Sequence, residues 1–212
     1  VALVVSVVGT VIIVDRLGVL GGTSGLTGAV EGTGDLNITQ DITITLTDSS
    51  IDFGNGKVDP TSGYAIANSQ AAQDTQGGTW DNITDNITVR NDGNVGVNIT
   101  VRSNKQNGND TTDSFICQSD VGGCGVGYEN GGELSALRYQ YRTAVNEVGS
   151  CDQTINNHFT NKDTDYGVCE CLKTGSTQDE IIVALVVGIP ADAQGQKSST
   201  LTFTSSVADG NC

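Results

Sequence analysis

Residues 80–103 read WDNITDNITVRNDGNVGVNITVRS, and this stretch decides the class of fold. Ile87 and Val89 alternate with polar residues before Asn91-Asp92-Gly93-Asn94, and Val97, Ile99 and Val101 alternate after it. Period-two alternation marks a strand with one buried face, because successive side chains point to opposite sides. An Asp-Gly step between two such runs predicts a β-hairpin.

The same grammar runs outward in both directions. Upstream, Leu36, Ile38, Ile42, Ile44 and Leu46 alternate, with a break at Gln40-Asp41, and SSIDFG predicts a short strand ending at Gly54. Downstream, LRYQYRTAV (137–145) sets Leu137, Tyr139, Tyr141 and Thr143 on one face. IIVALVV (181–187) is continuously apolar, as a central strand buried on both faces should be, and Pro190 closes it. SSTLTFTSS supplies a last strand carrying Leu201 and Phe203. Residues 104–135 and 149–178 are polar, hold five cysteines, and read as loop excursions off the core. Strands parted by turns, with no helical period among them, imply a mainly β body: an antiparallel, immunoglobulin-like β-sandwich of Greek-key type over 35–212.

The chain has 212 residues, with 25 Asp plus Glu against 10 Lys plus Arg, a formal net charge of −15. So acidic a surface repels phosphate backbones and anionic headgroups, and no nucleic-acid partner is expected. The charge is unevenly placed. Residues 1–14 read VALVVSVVGTVIIV, interrupted by Ser6, Gly9 and Thr10, and Asp15 and Arg16 are the sole charges before Glu31. These two cancel, so the net charge falls on residues 31–212. GGTSGLTGAVEGTG (21–34), with six glycines in fourteen positions, links an apolar handle to an acidic body.

Nine of the first fourteen residues are Val or Ile, which favours strand. An uninterrupted apolar run of this length favours helix. Residues 1–20 are expected as a hydrophobic assembly helix stopped at Gly21-Gly22, with a donated strand as the alternative. Fourteen helical residues span ~21 Å, short of the ~30 Å hydrocarbon core of a bilayer. The side chains expected to make the contact begin with Val1, Leu3, Val4, Val5, Val7 and Val8. Val11, Ile12, Ile13, Val14, Leu17 and Leu20 continue it. Their expected partner is the same segment in other copies, a homo-oligomer; a membrane anchor and a core strand of the body are the alternatives.

Cys117, Cys124, Cys151, Cys169, Cys171 and Cys212 have no zinc-knuckle spacing, and His158 is the one histidine. Three disulfides in an oxidising, extracellular compartment are expected instead. The favoured pairing is Cys117–Cys124, Cys151–Cys169 and Cys171–Cys212. Asn37, Asn82, Asn86, Asn98 and Asn109 each open an Asn-X-Thr acceptor for N-linked glycan, and strand alternation would turn such side chains to solvent.

Catalytic constellations do not emerge, and the chain is not expected to be an enzyme. His158 sits in NNHFTN with no Gly-x-Ser-x-Gly partner, and the glycines of 21–34 lack the Lys-Ser/Thr of a phosphate loop. Trp80 reads as a core plug. Asn161, Asp163 and Asp165, followed by Gly167, are a loose candidate for calcium, although an EF-hand would place glycine one position earlier and glutamate where Leu172 stands. No cofactor is expected beyond N-linked glycans and that candidate ion.

VVSVVGTVIIVDRLG at the start, the glycine-rich neck, SSIDFG, ITVRNDGNVGVNITV and IPADAQGQKSSTLTFTSS together resemble secreted β-sandwich proteins of archaea. The layout is similar to archaeal type IV pilins, with Val5 where many pilins carry glutamate. The resemblance implies a helix packed into a filament core and an immunoglobulin-like domain facing outward. The expected function is a structural subunit of an extracellular filament or pilus, with a cell-surface or glycan adhesion target. The alternative is a membrane-anchored adhesin or surface-layer component.

Overall fold

The computed structural model describes residues 37–70, 76–80, 85–108, 112–117, 124, 139–155, 158–209 and 212. The expected assembly helix of 1–20 and the linker of 21–34 lie outside them. The strands are β1 (Ile44–Asp48), β2 (Tyr64–Asn68), β3 (Ile87–Asn91), β4 (Val97–Ser103) and β5 (Tyr139–Val145). They continue with β6 (Cys151–Thr154), β7 (His158–Phe159), β8 (Asp165–Leu172), β9 (Glu180–Pro190) and β10 (Leu201–Val207). The described residues contain no α-helix. The first sheet runs β1-β3-β9-β5-β7 with β2 also on β9, and the second runs β10-β4-β8-β6. Every pairing between these strands is antiparallel.

Strand β9 organises the first sheet. Its eleven residues take β5 along one side, and β3 then β2 in tandem along the other. Ile181, Val183, Leu185 and Val187 enter the core, while Ala184 and Val186 on the opposite face are equally buried. Two-sided burial is the reason this segment carries no alternation. Where β2 gives way to β3, the Ser69 and Leu185 backbones pair, and the Leu185 N–H also donates to Ser69 Oγ at 2.9 Å.

The segment read as a hairpin is something else. β3 pairs with β1 and β9 in the first sheet, whereas β4 pairs with β10 and β8 in the second. The chain therefore crosses between layers through 92–96 as an arch. Ile87 and Val89 meet Val97, Ile99 and Val101 within one core instead of lying side by side. Alternation reads alike in both arrangements, because each strand has one apolar face either way. What holds the crossing is Asn91, 2% exposed. Its Nδ2 donates to Val95 O (2.9 Å), Leu172 O (3.0 Å) and Lys173 O (3.1 Å), and its Oδ1 accepts from Gly93 N (3.0 Å). One amide thus ties β3 to the arch and to the end of β8 in the other sheet.

Two tyrosines span the layers. Tyr139 OH reaches Ser103 Oγ on β4 (3.1 Å) and Ser199 Oγ (2.6 Å), and Tyr141 OH donates to Gly167 O on β8 (3.1 Å). Burial pushes both phenols above their ordinary pKa. Three further readings need correction. The stretch 104–135 is not wholly outside the core: Phe115, Ile116, Cys117 and Cys124 belong to it, with Phe115 stacked on Tyr139 at 4.5 Å between centroids. The stretch 149–178 is not a loop region but supplies β6 and β8. SSIDFG forms no strand; Ile51 and Phe53 lie against the core as partly buried loop residues.

Replacing Asn91 by Ala removes its contacts to three carbonyls and one N–H at the crossing. The two amide hydrogens shared among those carbonyls and the bond accepted from Gly93 N make three hydrogen bonds, and at about 1 kcal/mol net each the substitution should cost about 3 kcal/mol. Denaturant titration of the full chain with its disulfides intact measures it.

Candidate functional site

Among the described residues no group of three metal-ligating side chains assembles, and the candidate site described here is an edge. Strand β1 ends the first sheet and β10 ends the second. Register shows which way their side chains point. Ile44 and Leu46 stand opposite Asn91 and Val89, while Leu201, Phe203 and Val207 stand opposite Ser103, Val101 and Val97. Cross-strand partners share a face, so these residues all face inward. They are nevertheless incompletely covered. Leu46 and Val207 are each 40% exposed, Ile42 just before β1 is 41% exposed, and Ile44, Leu201 and Phe203 are only partly buried against the core. The flank between the two sheets is an apolar seam bordered by two sheet edges. Ser205 Oγ donates to Ile42 O (3.1 Å), joining its two sides at one point.

The chain enters this flank firmly anchored. Asn94 N and Nδ2 donate to Asp41 O (3.0 Å) and Thr39 O (2.9 Å), and Asp41 N donates to Asn94 Oδ1 (2.8 Å). A side chain at Gly93 would collide with Asp41 O, so the arch and the incoming segment touch backbone to backbone. Asp92 accepts from Thr45 Oγ1 and from Arg90 Nε (2.7 Å). The tail returns to the same end: Cys171 is bonded to Cys212, and Gln40, Asn94, Lys173, Val207 and Cys212 line one open hollow of about 390 Å³.

The other two disulfides are Cys117–Cys124 and Cys151–Cys169, so all three are the pairs the sequence reading favours. Cys151–Cys169 joins β6 to β8 within one sheet, and Cys171–Cys212 fixes the tail beyond β10 to β8.

Of the glycan acceptors, Asn82 and Asn109 lie outside the described residues, as do Val1 through Leu20. Asn37 is exposed, and Asn86 is half-buried, accepting from Ser69 Oγ at 3.2 Å. Asn98 on β4 is half-buried and already occupied structurally. β8 bulges opposite it, putting Cys171 at φ 61°, and Asn98 Oδ1 accepts the Cys171 N–H at 3.0 Å. This role left no trace in the Asn-Ile-Thr triplet.

Of the three calcium candidates, Asp165 has its carboxylate engaged. Arg102 grips Asp165 with Nε at 2.8 Å and Nη2 at 2.5 Å, which holds that carboxyl below its usual range, and Asp163 N donates to Ser103 O. Among the described residues no group of three metal-ligating side chains converges. Trp80 is half-buried, with its indole against Gly56 and Gly78.

Beside the arch lies an acidic hollow lined by Asp92, Glu147, Asp179 and Glu180 around Arg90. Glu147 Oε2 accepts from Asp179 N (2.7 Å) and Glu180 N (3.2 Å). Hydrogen bonds from Thr45 and then Arg90 hold Asp92 below the usual carboxylate range. Partial burial, then the charge and hydrogen bond of Glu147, raise Asp179. The two act oppositely on stability. That of Asp92 is present above its ordinary pKa and lost as pH falls through its lowered value. That of Asp179 is present below its ordinary pKa and lost as pH rises through its raised value.

Glu147→Gln should bring the Asp179 titration down toward the ordinary aspartate range, as followed by carboxyl NMR. Asn98→Ala should cost about 1–2 kcal/mol even in protein made without glycans, because the Cys171 N–H loses its acceptor; denaturant titration of glycan-free material measures this.

No protein-family model matches this chain, and no curated protein or solved structure matches it either, so its function has to be read from its own residues.

Proposed function

We propose that this chain is a structural subunit of an extracellular filament, in which the apolar segment 1–20 of each copy is buried by neighbouring copies and the acidic body faces solvent. The body is read as an immunoglobulin-like sandwich bearing N-linked glycans at some of its five acceptors, and the whole as a relative of archaeal pilin-type surface proteins. One observation carries this reading: the segregation of the sequence. Fourteen uncharged residues, nine of them Val or Ile, stand ahead of residues 31–212, which hold the entire net charge of −15. Burying each such side chain contributes about 1.5–3 kcal/mol against exposure to water. An acidic body cannot pack closely against its like, so the contact falls to the one part without charge. The six paired cysteines accord with an oxidising compartment.

The full chain, purified and imaged in vitreous ice, should form rods with a regular repeat. Deleting residues 1–14 should abolish them while leaving a monomer with three disulfides and the unfolding midpoint of the body. Rods that persist after the deletion would overturn the filament reading.

A further inference from the structure

We propose that the seam between β1 and β10 is the acceptor for the segment Val1–Val14 of a second copy, which adds as an extended strand along the free edge of β10. This rests on the filament reading and names the contact by which it would be built.

Four observations carry it. First, inward-facing side chains among the described residues stay partly uncovered: Leu46 and Val207 are 40% exposed, beside the partly buried Ile44, Leu201 and Phe203, and Ile42 just before β1 is 41% exposed. Inward residues of a closed sandwich are covered. Second, both borders of the seam are sheet edges, and among the described residues β10 pairs with β4 alone. An edge strand beside an apolar surface is a template for strand addition, in which backbone bonds supply affinity and pockets for alternate side chains supply register.

Third, the dimensions suit. Strand β10 is seven residues, about 23 Å, and fourteen extended residues reach ~46 Å, so about half of Val1–Val14 fills the edge. Extended, the run turns Val1, Leu3, Val5, Val7, Val11 and Ile13 to one face with Gly9, and puts Ser6 and Thr10 on the other. The second face also carries Val4, Val8, Ile12 and Val14, so an added strand would be apolar on both sides, as a strand between a core and a further copy can be. Fourth, the occupant is uncharged and rich in β-branched residues, whereas 23 of the 25 acidic residues lie in the body. A strand taken from another body would bring carboxylates to the seam.

The test uses two full-length variants. Leu46→Glu with Val207→Glu charges the seam at exposed positions and leaves Val1–Val14 intact, giving a donor. Val5→Asp with Val11→Asp charges the segment and leaves the seam intact, giving an acceptor. Both should keep three disulfides and the wild-type unfolding midpoint. By light scattering after size exclusion, each variant alone should be monomeric, and an equimolar mixture should stop at a dimer of one donor and one acceptor. Donor chains that polymerise alone would show segments packing on segments, overturning strand addition while the filament reading stands. A mixture that stays monomeric beside a polymerising wild type would overturn it as well. Wild-type chain that never polymerises removes the filament reading, and this proposal with it.

Discussion

A single buried amide sets the geometry of the body. Asn91 ends β3, and its Nδ2 reaches three carbonyls while its Oδ1 takes the Gly93 N–H, at the place where the chain leaves one sheet for the other. Buried backbone groups demand partners, and a sharp crossing between layers frees several at once. With those groups satisfied, β3 and β4 can turn their apolar faces toward each other. Everything beyond depends on that opposition: β9 joins β3 in the first layer, β8 joins β4 in the second, and the tyrosines of β5 reach across.

Segment 39–45 and the tail both meet this crossing from outside. Segment 39–45 is bonded to the arch through Asp41, Asn94, Asp92 and Thr45. Cys171–Cys212 brings the tail to the same end. The exposed ion pairs, Arg90–Asp92, Arg102–Asp165, Lys162–Asp113 and Lys173–Asp152, add little to these ties, since water screens them.

Much of the fold was legible residue by residue, and the failures have one cause. β9, β5 and β10 were readable because burial imprints itself directly, as continuous apolarity in IIVALVV and as alternation around Tyr139, Tyr141 and Phe203. β6 and β8 were hidden because cysteines, glycine and acidic residues displaced the usual strand formers in DYGVCECL, where a bulge breaks the alternation although Val168, Cys169 and Leu172 lie in the core. Phe115 and Ile116 were hidden because two apolar residues inside a polar loop carry no period. The seam was invisible for a related reason: Ile42, Leu46 and Val207 read as ordinary inward residues, and nothing local says that an edge stops short of covering them.

Composition and periodicity by themselves determined that the body is β-rich, that its cysteines suit disulfides, and that an uncharged segment precedes a strongly acidic domain. These are local quantities, counted along the chain. Tertiary structure alone decided that 87–101 is an arch and not a hairpin, which strand ends each sheet, and that Asn98 serves a bulge as well as an acceptor triplet. Those outcomes depend on which faces meet across a core, and a period-two pattern records that a face is buried without recording against what.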